Sequence, residues 1–540
     1  MFWQVVLGII VFILILGLIV LVHEGGHFFF AKRAGILCYE FSIGMGPLLW
    51  QKKIGETSYS IRLIPIGGFV SMAGEEIEMN PLTGYNFVKL HIEDGKVVEI
   101  EAFKDKVDDA LEIVKYDLVG TKEEQDGELF ITVKENESEK TFEITKTCLV
   151  RYGKKQVVQI APYNRLFVNK TLLQRFLTIF AGPFMNFVLA FVVFFFMGIV
   201  TGYANYDSTK VSDMIENTPS YNAGLRDGDE ILYVGDVDNL TEDMFYDEWE
   251  DISDALNKYA NGEDFEGFIN VVYRDTEGNI KSTLVKPYVF VQSVQINFVQ
   301  DGSNSLEVAE YLSSNEDTMS YKAGLKPGDV IVSCNGYEFL NRADFLRYFN
   351  TGLGAENSEF VFVVKRASET ITLDPIKTYK KQIFDDNNIE VCKVQLYISP
   401  ESTRNIGKLI IEPFKEIGSS CTVIFKTLGA LFQKDSGLGI SDLSGPVGIA
   451  SATVSIVSQE TLSVLSVFNW LAILSVNIGL MNIIPLPALD GGRLAFLLYE
   501  AVTGKKTNPK VENIIHSIGL ILFMLLFVFV AFNDVIKIFK

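Results

Sequence analysis

The sequence predicts a polytopic α-helical membrane protein that also carries β-rich soluble modules, and three observations predict it. The 540-residue chain is 48% hydrophobic with a mean hydropathy of +0.22, yet its net charge is −21. The two properties agree only if apolar and acidic residues occupy different stretches. They do: residues 5–22, 176–200 and 514–532 are apolar runs, whereas 204–460 holds nearly all the net negative charge. Each run crosses roughly 30 Å of hydrocarbon at about 1.5 Å per helical residue. A fourth run, 462–484, is apolar but interrupted by Asn469, Ser475, Asn477 and Asn482. A chain of this length also implies several domains rather than one.

The first run is expected to be a retained span. Met1-Phe2-Trp3-Gln4 offers no basic leader, and no small-residue cleavage site follows. Lys32, Arg33, Lys52 and Lys53 follow it; Arg165, Lys170 and Arg175 precede the second run; Arg493, Lys505, Lys506 and Lys510 separate the third and fourth. All fall on one side, which the positive-inside rule makes cytoplasmic, with the N-terminus and the acidic region outside. Lys537 and Lys540 run against that assignment. Five cysteines (Cys38, Cys148, Cys334, Cys392 and Cys421) stand singly, an odd total without a CxxC pair, which argues against a disulfide framework or a thiolate zinc site.

Between the first two runs, residues 56–73 read as two short strands around a Pro65-Ile66-Gly67-Gly68 turn. Residues 75–163 read as a small β-rich cytoplasmic insert, with turns at Glu93-Asp94-Gly95 and Asp126-Gly127. The acidic region repeats itself: Ser220-Tyr221-Asn222-Ala223-Gly224-Leu225-Arg226-Asp227-Gly228-Asp229 returns as Ser320-Tyr321-Lys322-Ala323-Gly324-Leu325-Lys326-Pro327-Gly328-Asp329. The pattern A-G-L-x-x-G-D-x-I looks like bacterial PDZ domains, which take an extended peptide by strand addition; a repeated β-domain that binds nothing is the alternative. Residues 411–432 carry apolar side chains at helical spacing broken by Glu412, Lys415, Glu416 and Lys426, the pattern of a surface amphipathic helix or of one packed on the spans.

The local signal for chemistry is His23-Glu24-Gly25-Gly26-His27. On a helix, residues i and i+4 share a face, so both imidazoles reach one metal, with Glu24 beside them to take a proton from water. Such matches arise by chance in ordinary helices. Here, however, ionisable groups sit at the end of an apolar run, where they are costly unless functional. Catalytic zinc generally has three protein ligands. The candidate third is Asp490, in Asn482-Ile483-Ile484-Pro485-Leu486-Pro487-Ala488-Leu489-Asp490-Gly491-Gly492-Arg493. The prolines break the third span near the cytoplasmic boundary, at the depth where the first span carries its histidines. Two imidazoles and a carboxylate suit Zn2+ without excluding other metals.

H-E-x-x-H in the first span with N-x-x-P-x-x-x-x-D-G in the third resembles the site-2 protease family of intramembrane metalloproteases. The module order is similar to its bacterial regulator-of-sigma branch, as are Ala181-Gly182-Pro183-Phe184-Met185-Asn186-Phe187 and Ser444-Gly445-Pro446-Val447-Gly448. The resemblance implies zinc on His23, His27 and Asp490, and Glu24 as general base and later proton donor. It implies that Asn482 holds an unwound substrate strand and that a membrane-associated hairpin around Gly67 and Gly68 presents an edge to it. It also implies single-span membrane proteins as substrates (anti-sigma factors or signal-peptide remnants) within the lipid bilayer of a bacterial plasma membrane. No nucleic-acid partner is expected.

The full expectation is four transmembrane helices (1–35, 172–203, 462–493 and 510–536), a membrane-associated β-hairpin (54–74), a cytoplasmic insert (75–163), two extracytoplasmic PDZ-like α+β domains (204–300 and 301–400) and amphipathic surface helices (408–460). A membrane adaptor with a vestigial metal motif, a zinc transporter and a protease of soluble substrates are the competing classes. Tolerance of Glu24→Gln marks the adaptor. Ionisable residues at several depths mark the transporter, and a third ligand soon after His27 marks the soluble enzyme.

Overall fold

The computed structural model describes residues 2–75, 81–120, 129–135, 138–153, 156–216, 218–235, 240–260, 268–285, 287–291, 296–298, 305–308, 319–350, 359–377, 392–431, 443–458 and 464–539. Its helices are α1 (Phe2–Arg33), α2 (Leu172–Thr201), α3 (Pro219–Asn222), α4 (Trp249–Ala260), α5 (Met319–Lys322) and α6 (Arg342–Asn350). They continue as α7 (Ile406–Leu431), α8 (Pro446–Val457), α9 (Val464–Ile483), α10 (Asp490–Thr503) and α11 (Pro509–Phe539). By length and composition α1, α2, α9 and α11 can each cross a membrane. The expected turn at Asp126-Gly127, the end of the 411–432 run at Phe432 and the first two residues of the 462–484 run lie outside the described residues. The chain divides into two compact units: Met1–Phe194, Pro413–Cys421 and Leu443–Lys540 form one, and Phe195–Glu412 with Thr422–Asp442 the other.

In the first unit α1 runs unbroken through the histidine motif to Arg33, about three turns past the apolar run. Gly25 and Gly26 are helical although each glycine costs about 1 kcal/mol there. Gly26 is needed for packing: a methyl at that position would run into the Ala181 carbonyl of α2. Helix α9 stops at Ile483 ahead of Pro485 and Pro487, and the chain restarts as α10 at Asp490 itself. The 462–493 stretch read as one span is thus two helices, and Asp490 opens the second. It is the first helical residue, where unpaired amides and the helix dipole favour an anion. Helix α8 begins at Pro446, and the amides of Gly445 and Gly448 donate to Asp534 Oδ2 of α11 at 2.8 Å each. Trp470 Nε1 of α9 donates to Thr453 of α8 at 2.9 Å, so α8 belongs to the bundle.

Strands β1 (Cys38–Ile54) and β2 (Thr57–Met72) form a hairpin longer than the one read from residues 54–74. Its turn is at Gly55-Glu56, not at Pro65–Gly68. Residues 40–43 pair on one side with 68–71 and on the other with 58–61; in the second pairing the partner numbers rise together, from Glu40↔Ser58 to Ile43↔Ile61. Residues 48–54 pair in turn with 57–62. Two nominal strands thus fold into four adjacent ribbons. Alternation marks strand faces but not which distant segment supplies the partner edge, so the two stretches read as mutual partners were misassigned. Met45, Leu48, Leu49, Trp50, Leu63 and Ile64 of this sheet are exposed.

Strands β3 (Phe87–Glu93), β4 (Lys96–Phe103), β5 (Leu111–Asp117), β6 (Phe130–Glu135), β7 (Ser138–Tyr152) and β8 (Gln156–Gln159) form a second sheet. Its order is β4-β3-β5-β6-β7-β8, and a parallel β4–β7 pairing closes it upon itself. Val88, Ile100, Ile131, Val133, Cys148 and Val150 fill its interior.

In the second unit the two halves of the sequence repeat have the same local structure. Leu225 N donates to the Ser220 carbonyl at 3.1 Å and Leu325 N to the Ser320 carbonyl at 3.0 Å. Arg226 N and Lys326 N each donate to the buried Asp229 or Asp329 carboxylate at 2.9 Å. Gly224 and Gly324 take φ of 105° and 93°, values that a Cβ opposes. Helix α3 or α5 precedes each such turn, and Glu230–Val234 or Val330–Cys334 follows as a strand. Helices α4 and α6 come later in each half. The boundary expected at residue 400 does not follow the sheets. Val211-Ser212 pair with Pro400 and Ser399, Tyr203-Ala204 with Thr403 and Ser402, and Tyr288–Val291 with Cys392–Gln395. Chain from beyond the second repeat thus completes the sheets of the first.

Candidate metal centre

His23 and His27 face one side of α1 one turn apart, both buried. Asp490 meets them from the start of α10. His23 Nε2 lies 3.1 Å from Asp490 Oδ2, His27 Nε2 lies 3.3 Å from the same oxygen, and the two Nε2 atoms are 3.2 Å apart. Among the described residues these three form the cluster able to hold a metal. The spacing tests the fit. Ligands held at about 2.0–2.1 Å in a tetrahedron stand about 3.3 Å from one another. All three separations match one face of such a tetrahedron, and a fourth position is left for a reactant.

Neighbouring elements set the ring orientations. His27 Nδ1–H donates to the Thr178 carbonyl of α2 at 2.8 Å, which leaves Nε2 as the lone-pair nitrogen. The ring lies so close to α2 that a methyl at Gly182 would collide with Nε2. His23 Nδ1 is 3.2 Å from the side-chain amide of Asn186, also on α2 and fully buried. Asp490 is held through its backbone loop: Ala488 adopts φ 78°, and its N–H donates to His516 Nδ1 of α11 at 3.0 Å. Arg175 of α2 makes a two-pronged ion pair with Glu500 of α10 at 2.5 and 3.0 Å, and Arg493 pairs with Glu75 beyond the hairpin.

Glu24 follows His23 on α1, within electrostatic reach of His23, His27 and Asp490. Gly68 of the hairpin packs on its side chain. Gly67, with φ 78°, lies against Met45 instead. Asn482 stands in the last turn of α9, partly buried, and makes no hydrogen bond to the three ligand candidates. Of the remaining histidines, His91 is exposed in β3 and His516 supports the Ala488 loop. The hairpin turn is anchored by Glu56, which accepts two hydrogen bonds from Arg165 at 2.7 Å and one from Lys32 at 2.5 Å. Arg165, then Lys32, hold its carboxyl down to about 2.

Thr178, Gly182, Asn186 and His516 were not legible as site residues. Gly182 and Asn186 belong to a stretch noted only for its resemblance, and nothing in their spacing aims them at α1.

A family model described as Peptidase family M50 matches residues 11–526. The chain is 32% identical over 550 residues to the zinc metalloprotease RasP of Shouchella clausii, which covers 98% of this chain and 99% of that relative. The RasP proteins of Bacillus licheniformis and Oceanobacillus iheyensis are 30% and 29% identical, again over 98% of this chain and 99% of each relative.

Proposed function

This chain belongs to peptidase family M50, and from that premise we propose that it is a membrane-embedded zinc metalloprotease of the site-2 type that cuts within or beside the transmembrane segment of single-span proteins. The observation that carries the reading is the His23–His27–Asp490 triangle, whose edges suit one tetrahedral metal. Zinc in that position supplies a Lewis acid for the scissile carbonyl and lowers the pKa of a water toward about 7. His23, His27 and Asp490 hold the metal. The Glu24 carboxylate takes the proton from the attacking water and returns it to the leaving amine.

A transmembrane helix satisfies its amides internally, so hydrolysis requires local unwinding. The hairpin is the element suited to accept the freed groups by strand addition, with Gly67 and Gly68 on its edge, Gly68 beside Glu24, and Asn482 fixing the strand from the other side. The exposed Met45, Leu48, Trp50 and Leu63 favour contact of this sheet with lipid. The flanking lysines and arginines favour a bacterial plasma membrane topology with the site near the cytoplasmic face and the acidic unit outside. In that topology the PDZ-like repeats act as a filter that admits substrates whose outer domains are already trimmed. Anti-sigma factors and signal-peptide remnants fit this description.

The test uses purified chain in detergent and a tagged single-span substrate lacking its outer domain. Wild type should cut within the span, Glu24→Gln should not, and a chelated sample should recover with zinc. Binding without cleavage, unchanged by Glu24→Gln, would instead make the protein an adaptor. Removal of residues 204–400 should let untrimmed substrates be cut; if they stay intact in an otherwise active enzyme, the filter is wrong.

A further inference from the structure

We propose that Asn186 is the positioning residue for His23: its side-chain oxygen accepts the Nδ1–H of that ring and so commits Nε2 to the metal. The inference rests on the reading of His23 as a metal ligand. Two features of α2 support it independently of the family. Asn186 is fully buried, and one end of its amide is 3.2 Å from His23 Nδ1. The other end is buried without a partner among the described residues: the atom facing the ring is Nδ2, while Oδ1 has none. Amide oxygen and nitrogen are distinguished by the hydrogen bonds they make, not by shape.

The chemistry of the ring decides between the two orientations. A neutral imidazole carries one N–H, and a metal on Nε2 requires that it be on Nδ1. An amide that presents Nδ2 to Nδ1 faces a donor with a donor. The reversed amide presents Oδ1 and accepts the proton at no change in volume, with Nδ2 taking the place that Oδ1 held. His27 already has this arrangement, because its Nδ1–H donates to the Thr178 carbonyl. Thr178 and Asn186 are eight residues apart on α2, just over two turns. One helix therefore selects the tautomer of both histidines, through a backbone carbonyl for one and a side-chain amide for the other. Only the second can be changed by substitution. Asn186 is held in place from behind, since Ser475 Oγ of α9 donates to its backbone carbonyl at 2.8 Å and Gly479 of α9 packs on its Cβ.

The experiment measures zinc affinity of the full chain in detergent by competition with a chromophoric chelator, without reference to proteolysis. Asn186→Asp keeps an acceptor and should bind zinc within about threefold of wild type or more tightly. Asn186→Leu, similar in volume but without an acceptor, should bind roughly 10- to 100-fold more weakly, the usual loss for an outer partner of a metal histidine. Ser475→Ala loosens the support behind Asn186 but keeps its amide, and should weaken binding less than Asn186→Leu does. Equal weakening by the aspartate and leucine substitutions, or none by leucine, would overturn the proposal. If Asn186→Leu does not fold, the wild-type protein still decides. With four histidines in the chain, 15N-histidine spectra of the zinc-loaded protein resolve the His23 ring. A proton on Nδ1 hydrogen-bonded to an amide oxygen supports the assignment, and its absence refutes it. Failure of zinc binding in wild type would refute the metal-site reading itself, an outcome distinct from either of these.

Discussion

Gly68 of the hairpin lies directly on Glu24 of α1: a Cβ on Gly68 would stand 2.9 Å from Glu24 Cγ and 2.7 Å from the Ser42 carbonyl oxygen. The hairpin thus reaches the proposed general base only because this residue has no side chain. Gly68→Val should lift the hairpin from Glu24 and lower kcat/KM about 10- to 100-fold, the scale of a misplacement near 1 Å. Zinc content should stay at the wild-type level. Wild-type turnover in a folded Gly68→Val protein would show that the close approach has no catalytic role.

Glu24→Gln preserves size while removing the ability to take a proton. Zinc binding should persist and cleavage should fall by at least about 100-fold. Metal analysis and a gel-based cleavage assay on the same preparation check both halves; retention of activity would remove Glu24 from the mechanism.

Gly182→Ala places a methyl against His27 Nε2, whose other ring nitrogen is tied to Thr178. The ring can move only by giving up that bond. Zinc affinity should drop by about tenfold or more, in line with loss of an outer partner, and chelator competition measures it. An unchanged affinity would mean that α2 yields instead of the ring.

Glu56 is the pH-sensitive anchor of the hairpin. Its folded pKa of about 2 lies below the ordinary 4.5 of a free glutamate, mainly through Arg165. Its stabilising effect is therefore present above about pH 4.5 and is lost as pH falls through about 2. Because the group is partly exposed, solvent screening limits the effect to about 1–2 kcal/mol. Glu56→Gln should lower the midpoint of thermal unfolding at pH 7, and the difference from wild type should close near pH 2. A difference that is constant with pH would point to packing rather than charge.

The sequence was informative wherever a short-range rule applied. The apolar runs marked the four helices long and apolar enough to cross a membrane, because burial in hydrocarbon demands length, and His23-Glu24-Gly25-Gly26-His27 marked one helical face. The repeat pointed to two turns that the structure shows to be alike, with Asp229 and Asp329 accepting from the third amide back in each. Pairing was less legible. Residues 58–61 and 68–71 each look like strands, yet both pair with 40–43, and residues 392–403 return to the first repeat. Alternation reports a strand face, not its neighbour.

What this sequence determined by itself is the chemical inventory: two imidazoles a turn apart, a carboxylate beside them, and Asp490 beyond a proline-broken helix. Each follows from local periodicity or from the steric rules of proline. Tertiary structure alone decided that Asp490 opens α10 at 3.1 Å from His23, that α2 supplies an acceptor for His27 and an amide for His23, and that Gly68 touches Glu24. These contacts join residues tens to hundreds of positions apart. They depend on how closely helices and strands can approach, which is settled by side-chain volumes on both partners at once.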